Sequence, residues 1–325
     1  MNCNDTKDEW AKTIQNKRDE RLDSVKYWLI VLVIAGHVLQ CFKQIPICKL
    51  IWDWIYLFHM PLFVFISGYF SHKKNRKGLM KSIWILAEPL IIFQIIALVF
   101  LVHSFSIIDI LTPCWVLWFL LSLICWRLIL QIIPYRFLNK PKFILSVVLC
   151  ISVLAGFLPF NDLLSIQKTL SFMPYFFLGY YMKGKNLFLP GKYKPLCLLF
   201  LILSISIPLY FSQYLGCLTY DKSYVNYYDA IRIMLVFCLS IPMSIAFINV
   251  CINKPWIARQ GQLTMQYYIY HALVLFPFLE VMSKLGFPSS LFTAILYTVI
   301  ITMGIGIASR LPNFSKYTNP SQFLK

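Results

Sequence analysis

The sequence predicts an all-α fold: a polytopic membrane protein of about ten transmembrane helices with N and C termini cytoplasmic. Three observations carry that prediction. Of 325 residues, 59% are hydrophobic and only 13% charged, against roughly 45–50% and about 25% in a soluble domain. The apolar residues recur along the whole chain in runs that approach the ~20 residues a helix needs to cross a bilayer. The lysines and arginines fall almost entirely in alternate breaks between those runs. A mean hydropathy of +0.69 is more than a core of this size absorbs, so lipid is the expected solvent for much of the surface.

The predicted spans are about 24–42, 50–71, 79–102, 113–133, 143–159, 168–183, 195–212, 228–250, 263–282 and 289–309. The second is interrupted by Pro61 and Gly68, and the sixth is short. Both are expected to kink or partly re-enter, which is tolerated only where backbone polar groups find partners inside the protein. Regular period-2 alternation, the mark of a membrane β-barrel, is absent.

Basic residues set the orientation. One set of breaks, with the two terminal segments, holds 24 lysines and arginines, among them Lys26, Lys74, Arg127, Lys183, Lys254 and Arg310. The other set holds five: Lys43, Lys49, Lys168, Lys222 and Lys284. Arg232 lies within a run. The even span count and this bias both put the termini in the cytoplasm. Topology thus accounts for most of the net charge of +17, and dispersed loop cations without a recognition module argue against nucleic acid as a partner. The expected organisation is an N-terminal cytoplasmic segment (1–23), a membrane domain (24–310) and a C-terminal cytoplasmic tail (311–325). The opening MNCNDTKDEWAKTIQNKRDE is too polar for a cleavable signal peptide, so the first apolar run is expected to be retained.

The ten cysteines show no CxxC pair and no zinc-type spacing with histidine. They read as small apolar residues, and no metal is expected. Gly-rich phosphate loops, HExxH and GxSxG are likewise absent.

Ionisable groups inside spans are costly and usually functional, and three histidines stand out. His37 follows Lys26 by eleven residues, about 16 Å of helix, near the bilayer midplane. His59 precedes Phe70 by eleven residues and reaches a similar depth. His271 lies about 12 Å beyond Leu263. Imidazole is suited to moving a proton at neutral pH. His72 and His103 lie at span edges and read as structural. Glu88, ahead of Pro89, is expected to orient a histidine or pair with a base. Arg232 is expected either to bind an anionic or hydroxyl group or simply to pair with Asp229 at i, i+3. Trp115 and Trp118 with Phe119 read first as an interfacial belt and second as a stacking surface for sugar.

Taken in order, these segments resemble the acyltransferase-3 family of integral-membrane O-acyltransferases, which includes polysaccharide O-acetyltransferases and fucose 4-O-acetylase-like proteins. The resemblance begins at Arg21-Leu22-Asp23-Ser24-Val25-Lys26 and includes the family pattern of a basic residue, ten residues, then histidine, here Lys26 and His37. It continues through Phe58-His59-Met60-Pro61-Leu62-Phe63-Val64-Phe65-Ile66-Ser67-Gly68-Tyr69-Phe70 and Trp118-Phe119-Leu120. Phe176-Phe177-Leu178-Gly179-Tyr180-Tyr181 and Tyr268-Ile269-Tyr270-His271 complete it. The stretch Ser24 to Tyr27 lacks the glycine often found after the basic residue, and no appended esterase-like domain is expected.

The resemblance implies ten helices, an acetyl-CoA or other acyl-CoA donor, and transfer to a hydroxyl of a lipid-linked or polymeric carbohydrate. It implies a bacterial inner (plasma) membrane location, with membrane lipid and glycan-assembly proteins as partners. On that basis His37 is expected to act as general base or transient acyl acceptor, with His59 orienting or relaying. Burial disfavours the charged form of an imidazole, and a base must be neutral to accept a proton. Lys26 with Arg21 is expected to hold the anionic part of coenzyme A, and Asp23 to fix Lys26 at i, i+3. Ser67, Glu88, Trp118, Arg232 and His271 are expected to support the site or bind substrate. The rival class is a glycan or small-molecule transporter or flippase in which histidine and glutamate relay protons.

Overall fold

The computed structural model describes residues 19–102, 106–158, 163–211 and 228–311. The segment ahead of residue 19, His103, Lys222 and the tail beyond residue 311 lie outside the described residues. Among the described residues the chain forms helices and turns, with no strand. The longer helices are α1 (Glu20–Gln40), α2 (Pro46–Tyr56), α3 (His59–Tyr69), α4 (Arg76–Ala97), α5 (Trp118–Ile132), α6 (Pro141–Ala155), α7 (Ile166–Tyr181), α8 (Lys194–Leu203), α9 (Tyr228–Val250), α10 (Pro255–Gly261), α11 (Thr264–Lys284) and α12 (Leu291–Ala308). Shorter turns join them.

Among the described residues, seven helical segments are long and apolar enough to cross a membrane: Glu20–Gln40, Pro46–Tyr69, Arg76–Phe100, Trp115–Ile132, Gly191–Tyr210, Asp229–Val250 and Leu291–Ala308. The other three predicted spans, 143–159, 168–183 and 263–282, correspond to α6, α7 and α11. α6 and α7 are shorter, with 15 and 16 residues. α11 is long, but it carries the buried Gln266 and His271 and, further along, Glu280 and Lys284. Gln266 and His271 face the interior, whereas Glu280 and Lys284 pair with each other at 2.7 Å on the exposed surface.

The helix boundaries have local causes. α1 begins at Glu20, four residues earlier than expected, because the Asp19 side chain caps it, accepting from the backbone N–H groups of Arg21 (2.9 Å) and Leu22 (3.4 Å). The second span breaks at Leu57–Phe58, ahead of Pro61. A proline ring inside a helix collides with the carbonyl four residues earlier, here that of Leu57. Ending α2 just before Leu57 puts Pro61 in the first turn of α3, where no such collision arises.

Gly68 does not interrupt its helix. α3 and α7 cross so closely that a Cβ on Gly68 would overlap the backbone carbonyl of Phe176, and one on Gly179 the carbonyl of Phe65. Small residues permit this approach between membrane helices, where packing replaces the hydrophobic drive. α10 meets α1 in the same way, Gly261 lying against the carbonyl of Asp23. α1 therefore runs through the centre of the bundle, touching α2, α3, α10, α11 and α12.

The outward faces are apolar. Ile91 and Ile95 on α4, Leu198 and Ile202 on α8, Ile231 and Leu235 on α9, and Ile295 and Met303 on α12 are all exposed. Such a surface suits hydrocarbon, not water. Polar groups pair inward: Ser122 with Thr169 at 2.6 Å, the Trp126 indole N–H with the Thr169 carbonyl at 2.8 Å, and Tyr175 with Ser240 at 2.8 Å.

Replacing Gly68 or Gly179 by alanine should destabilise the protein by about 1–3 kcal/mol through overpacking. Gly304, whose added methyl would meet nothing within 4 Å, is the control. Thermal unfolding in detergent should show a lowered midpoint for G68A and G179A but not G304A; equal midpoints would rule out the close crossing.

Candidate active site

Three helices that are distant in sequence bring the three histidines together. His37 lies in the last turn of α1, which ends at Gln40. His59 opens α3, and its Nδ1 lies 2.8 Å from the Ile55 carbonyl across the helix break. His271, in the second turn of α11, places Nδ1 3.0 Å from the Tyr267 carbonyl. His59 and His271 are buried, at 2% and 0% exposure, and His37 is half-buried. The His37 and His271 rings stack with centroids 5.4 Å apart.

The local sequence makes room for this. Gly36 allows the Tyr56 ring to lie against α1, and Tyr56 in turn packs edge-on to His59 with centroids 4.7 Å apart. Trp115 approaches from the turn before α5, its ring 4.5 Å from that of His37. Its backbone is in the left-handed region, with φ of 46°, a conformation that costs a bulky residue on the order of 1–3 kcal/mol. The surroundings hold it there. Gln94 on α4 donates to the carbonyls of Asp109 (3.1 Å) and Thr112 (2.9 Å) and accepts from the Cys114 N–H (2.8 Å). The Tyr268 hydroxyl donates to the Val116 carbonyl on the other side of Trp115.

Between these groups lies a cleft of about 130 Å³, lined by His37, His59, Gln40, Tyr56, Trp115 and Lys168 among others. The space holds several water-sized groups. Its lining mixes polar side chains with apolar ones such as Val33, Met60 and Phe172. Among the described residues no carboxylate lines it.

The hydrogen bonds fix what the rings can do. A neutral imidazole that donates through Nδ1 keeps a lone pair on Nε2. His59 and His271 can bond carbonyls only as Nδ1–H donors, so each presents Nε2 as an acceptor. Among the described residues, Nε2 of His271 and Nδ1 of His37 are buried without a partner. Unpaired buried polar atoms are uncommon and call for an explanation.

The other residues singled out from sequence distribute unevenly. Trp118 lines the cleft and stacks on Phe172, with centroids 5.3 Å apart, so Trp115 and Trp118 face the cleft and do not form a belt. Phe119 is buried among Phe63, Trp126 and Tyr268. Lys26 pairs with the buried Asp23 at 2.5 Å, the expected i, i+3 contact, near the opposite end of α1. Its ammonium also sits 5.5 Å from the Phe70 ring centroid. Arg21 lies over Phe188 at 4.0 Å and near Asp19. Ser67 donates to the Phe63 carbonyl of its own helix at 3.0 Å.

Glu88 is half-buried on α4 and reaches neither the cleft nor, among the described residues, any ion-pair or hydrogen-bond partner. Arg232 pairs with Asp229 at 2.6 Å, away from the cleft. The alternative of simple pairing is the geometry found.

Sequence reasoning missed Gln40, Tyr56, Lys168 and Gln94 as parts of the site or its support. Lys168 carried a signal, a cation at the start of an otherwise apolar run. Gln94 carried a weaker one, an uncharged amide within a span.

Residues 19–309 match the family model described as an acyltransferase domain. The chain is 45% identical over 64 residues to the nodulation protein NolL of Sinorhizobium fredii (strain NBRC 101917 / NGR234), and 47% identical over 64 residues to the NolL of Mesorhizobium japonicum (strain LMG 29417 / CECT 9101 / MAFF 303099). Each match covers 17% of this chain and 16% of the relative, so the chain spans about a sixth of the length of these curated relatives. No solved structure matches the chain.

Solid-state ¹⁵N spectra of histidine-labelled protein should report Nδ1–H tautomers for the rings of His59 and His271, assigned by loss of each signal in H59F and H271F. An Nε2–H tautomer at either position would contradict the carbonyl bonds described above.

Proposed function

The chain belongs to the acyltransferase-3 family, and from that premise we propose that it is a membrane-embedded O-acyltransferase moving an acyl group, acetyl first, from acyl-CoA to a hydroxyl of a surface or exopolysaccharide sugar. Family membership and the helical, multi-pass architecture support the reaction class. The observation that carries the site is the meeting of His37 and His59 in one cleft, with His271 stacked against His37. We place the protein in a bacterial inner membrane, with ten spans and cytoplasmic termini. The reading needs no metal.

In the proposed reaction the sugar hydroxyl attacks the thioester carbonyl while His37 takes the hydroxyl proton. The tetrahedral intermediate collapses by breaking the carbon–sulfur bond. The departing thiolate recovers the proton from the imidazolium, leaving an ester and a free thiol. His59, held by Ile55, orients or relays. Trp118 and Trp115 offer faces for a sugar ring, and His271 backs His37. Ser67 supports α3 in this reading, and Glu88 and Arg232 act outside the cleft. Lys26, steadied by Asp23 and neighboured by Arg21, marks the end of α1 from which the donor approaches. From Lys26 to His37 the helix rises about 16 Å, so the donor must reach the histidines by an extended arm.

His37→Ala should lower acyl transfer by about 10²–10⁴-fold, the usual range for a positioned base, while the protein still accumulates in the membrane. Mass analysis of the host's surface glycan, with and without the gene, reads this directly. Loss of one acyl increment on a glycan of unchanged length supports the enzyme. Loss of the entire glycan would identify a transporter instead, and unaltered acylation by H37A would end the role given to His37.

A further inference from the structure

A second cavity adjoins the cleft across the turn that holds Trp115 and Val116, and these two residues line both spaces. It encloses about 30 Å³ and is walled by Phe93 and Ala97 of α4, by Leu117, and by Ile269 and Ala272 of α11. The cleft mixes imidazole, amide and ammonium groups with its aromatic rings; the side chains around this recess are apolar. The partition between the two spaces is thus a single short turn, and Trp115 is its largest side chain.

That side chain also stands against the proposed base. Its ring lies 4.5 Å from that of His37 and 6.3 Å from that of His271. A hydroxyl bonded to a base must approach the acyl carbonyl to about 3–3.5 Å, so the carbonyl reacts within about 7 Å of the His37 nitrogen. The alkyl part of the acyl group continues from there. Toward Gln40, Tyr56, His59 and Lys168 it would cover polar atoms and leave them unpaired, which is costly. Toward Trp115 it meets hydrocarbon, and beyond Trp115 lies an apolar recess with room for about two water-sized groups.

Trp115 is held as a wall at an energetic cost. Its left-handed backbone, with φ of 46°, is one that glycine adopts freely and a bulky residue does not. The Gln94 side chain accepts from the Cys114 N–H on one side, and the Tyr268 hydroxyl donates to the Val116 carbonyl on the other. Strain maintained by neighbouring bonds points to a side chain whose position matters.

We propose that Trp115 is the residue that limits the length of the transferred acyl group: its indole closes the cleft against the apolar recess, admitting acetyl beside His37 and excluding longer chains. This inference rests on the acyl-transfer reading and narrows it, with Trp118 carrying the sugar ring and Trp115 facing the acyl group. Gln94 is then a positioning residue, acting through the turn it braces.

The test uses the full-length protein in nanodiscs, supplied with equal acetyl-CoA and butyryl-CoA and with the deacylated surface glycan of the host. Mass analysis reads the ratio of butyryl to acetyl increments, which a general loss of activity leaves unchanged. The parent should transfer acetyl in preference. Trp115→Gly, which suits the backbone of the turn, should raise the ratio by about tenfold or more, the scale on which an apolar pocket distinguishes added methylenes. Ala97 lines the recess and not the cleft, so adding Ala97→Leu to W115G should refill the recess and return the ratio toward that of the parent.

Equal use of both chains by the parent overturns the proposal, as does a ratio that W115G leaves unmoved or that A97L fails to reverse. If W115G transfers neither chain, calorimetric affinities decide: a gain for butyryl-CoA over acetyl-CoA upholds the wall, and parallel changes overturn it. A parent that transfers neither chain sinks the acyl-transfer reading itself, whereas acetyl transfer by the parent with no shift in W115G sinks only the role given to Trp115.

Discussion

A polar group within the hydrocarbon layer has no water to turn to, so it must find its partner inside the protein. That constraint organises this molecule. It sends Ser122 to Thr169 and Tyr175 to Ser240, and it turns the isoleucines and leucines of α4, α8, α9 and α12 outward. It also makes the imidazole nitrogens that keep no partner the informative ones. Among the described residues, His37 and His271 each retain a buried nitrogen without a hydrogen bond, and Trp52, Gln266, Thr302 and Ser309 each retain a buried side-chain polar atom in the same condition.

The cleft depends on close helix crossings some distance from it. α3 carries His59, and its alignment on α7 is set by Gly68 and Gly179. α7 carries Lys168 and Phe172 to the same cleft. α1 carries His37, and its register against α10 is set by Gly261. The glycines thus act on function through geometry: each removes a side chain that would hold two helices apart and spread the histidines. The left-handed Trp115 is the local counterpart, a strained residue kept in place by Gln94 and Tyr268.

Two polar regions occupy opposite ends of α1. One gathers imidazoles and aromatic faces around a small space, and the other gathers lysine and arginine side chains. Burial favours an uncharged imidazole in the first, and gathered cations favour a nearby anion in the second. The molecule separates these demands along one central helix, with Lys26 near one end and His37 near the other.

Much of this was legible in the amino-acid order. Composition and run length determine the helical membrane class, since a local property, the hydropathy of about 20 consecutive residues, decides whether a segment can cross. The three histidines were legible for the same reason: a titratable group inside an apolar run is conspicuous wherever its neighbours come from. The Lys26–Asp23 and Arg232–Asp229 pairs follow from helical spacing alone. What only the tertiary structure decided is who meets whom. Tyr56, Gln40, Lys168 and Gln94 look ordinary in sequence because their roles depend on side chains tens to hundreds of residues away. The break at Leu57 instead of Pro61, and the reading of Gly68 as a contact and not a kink, were likewise settled by packing. Hydropathy is written locally along a chain; convergence of helices is not, because it depends on which surfaces fit together once lipid has excluded water.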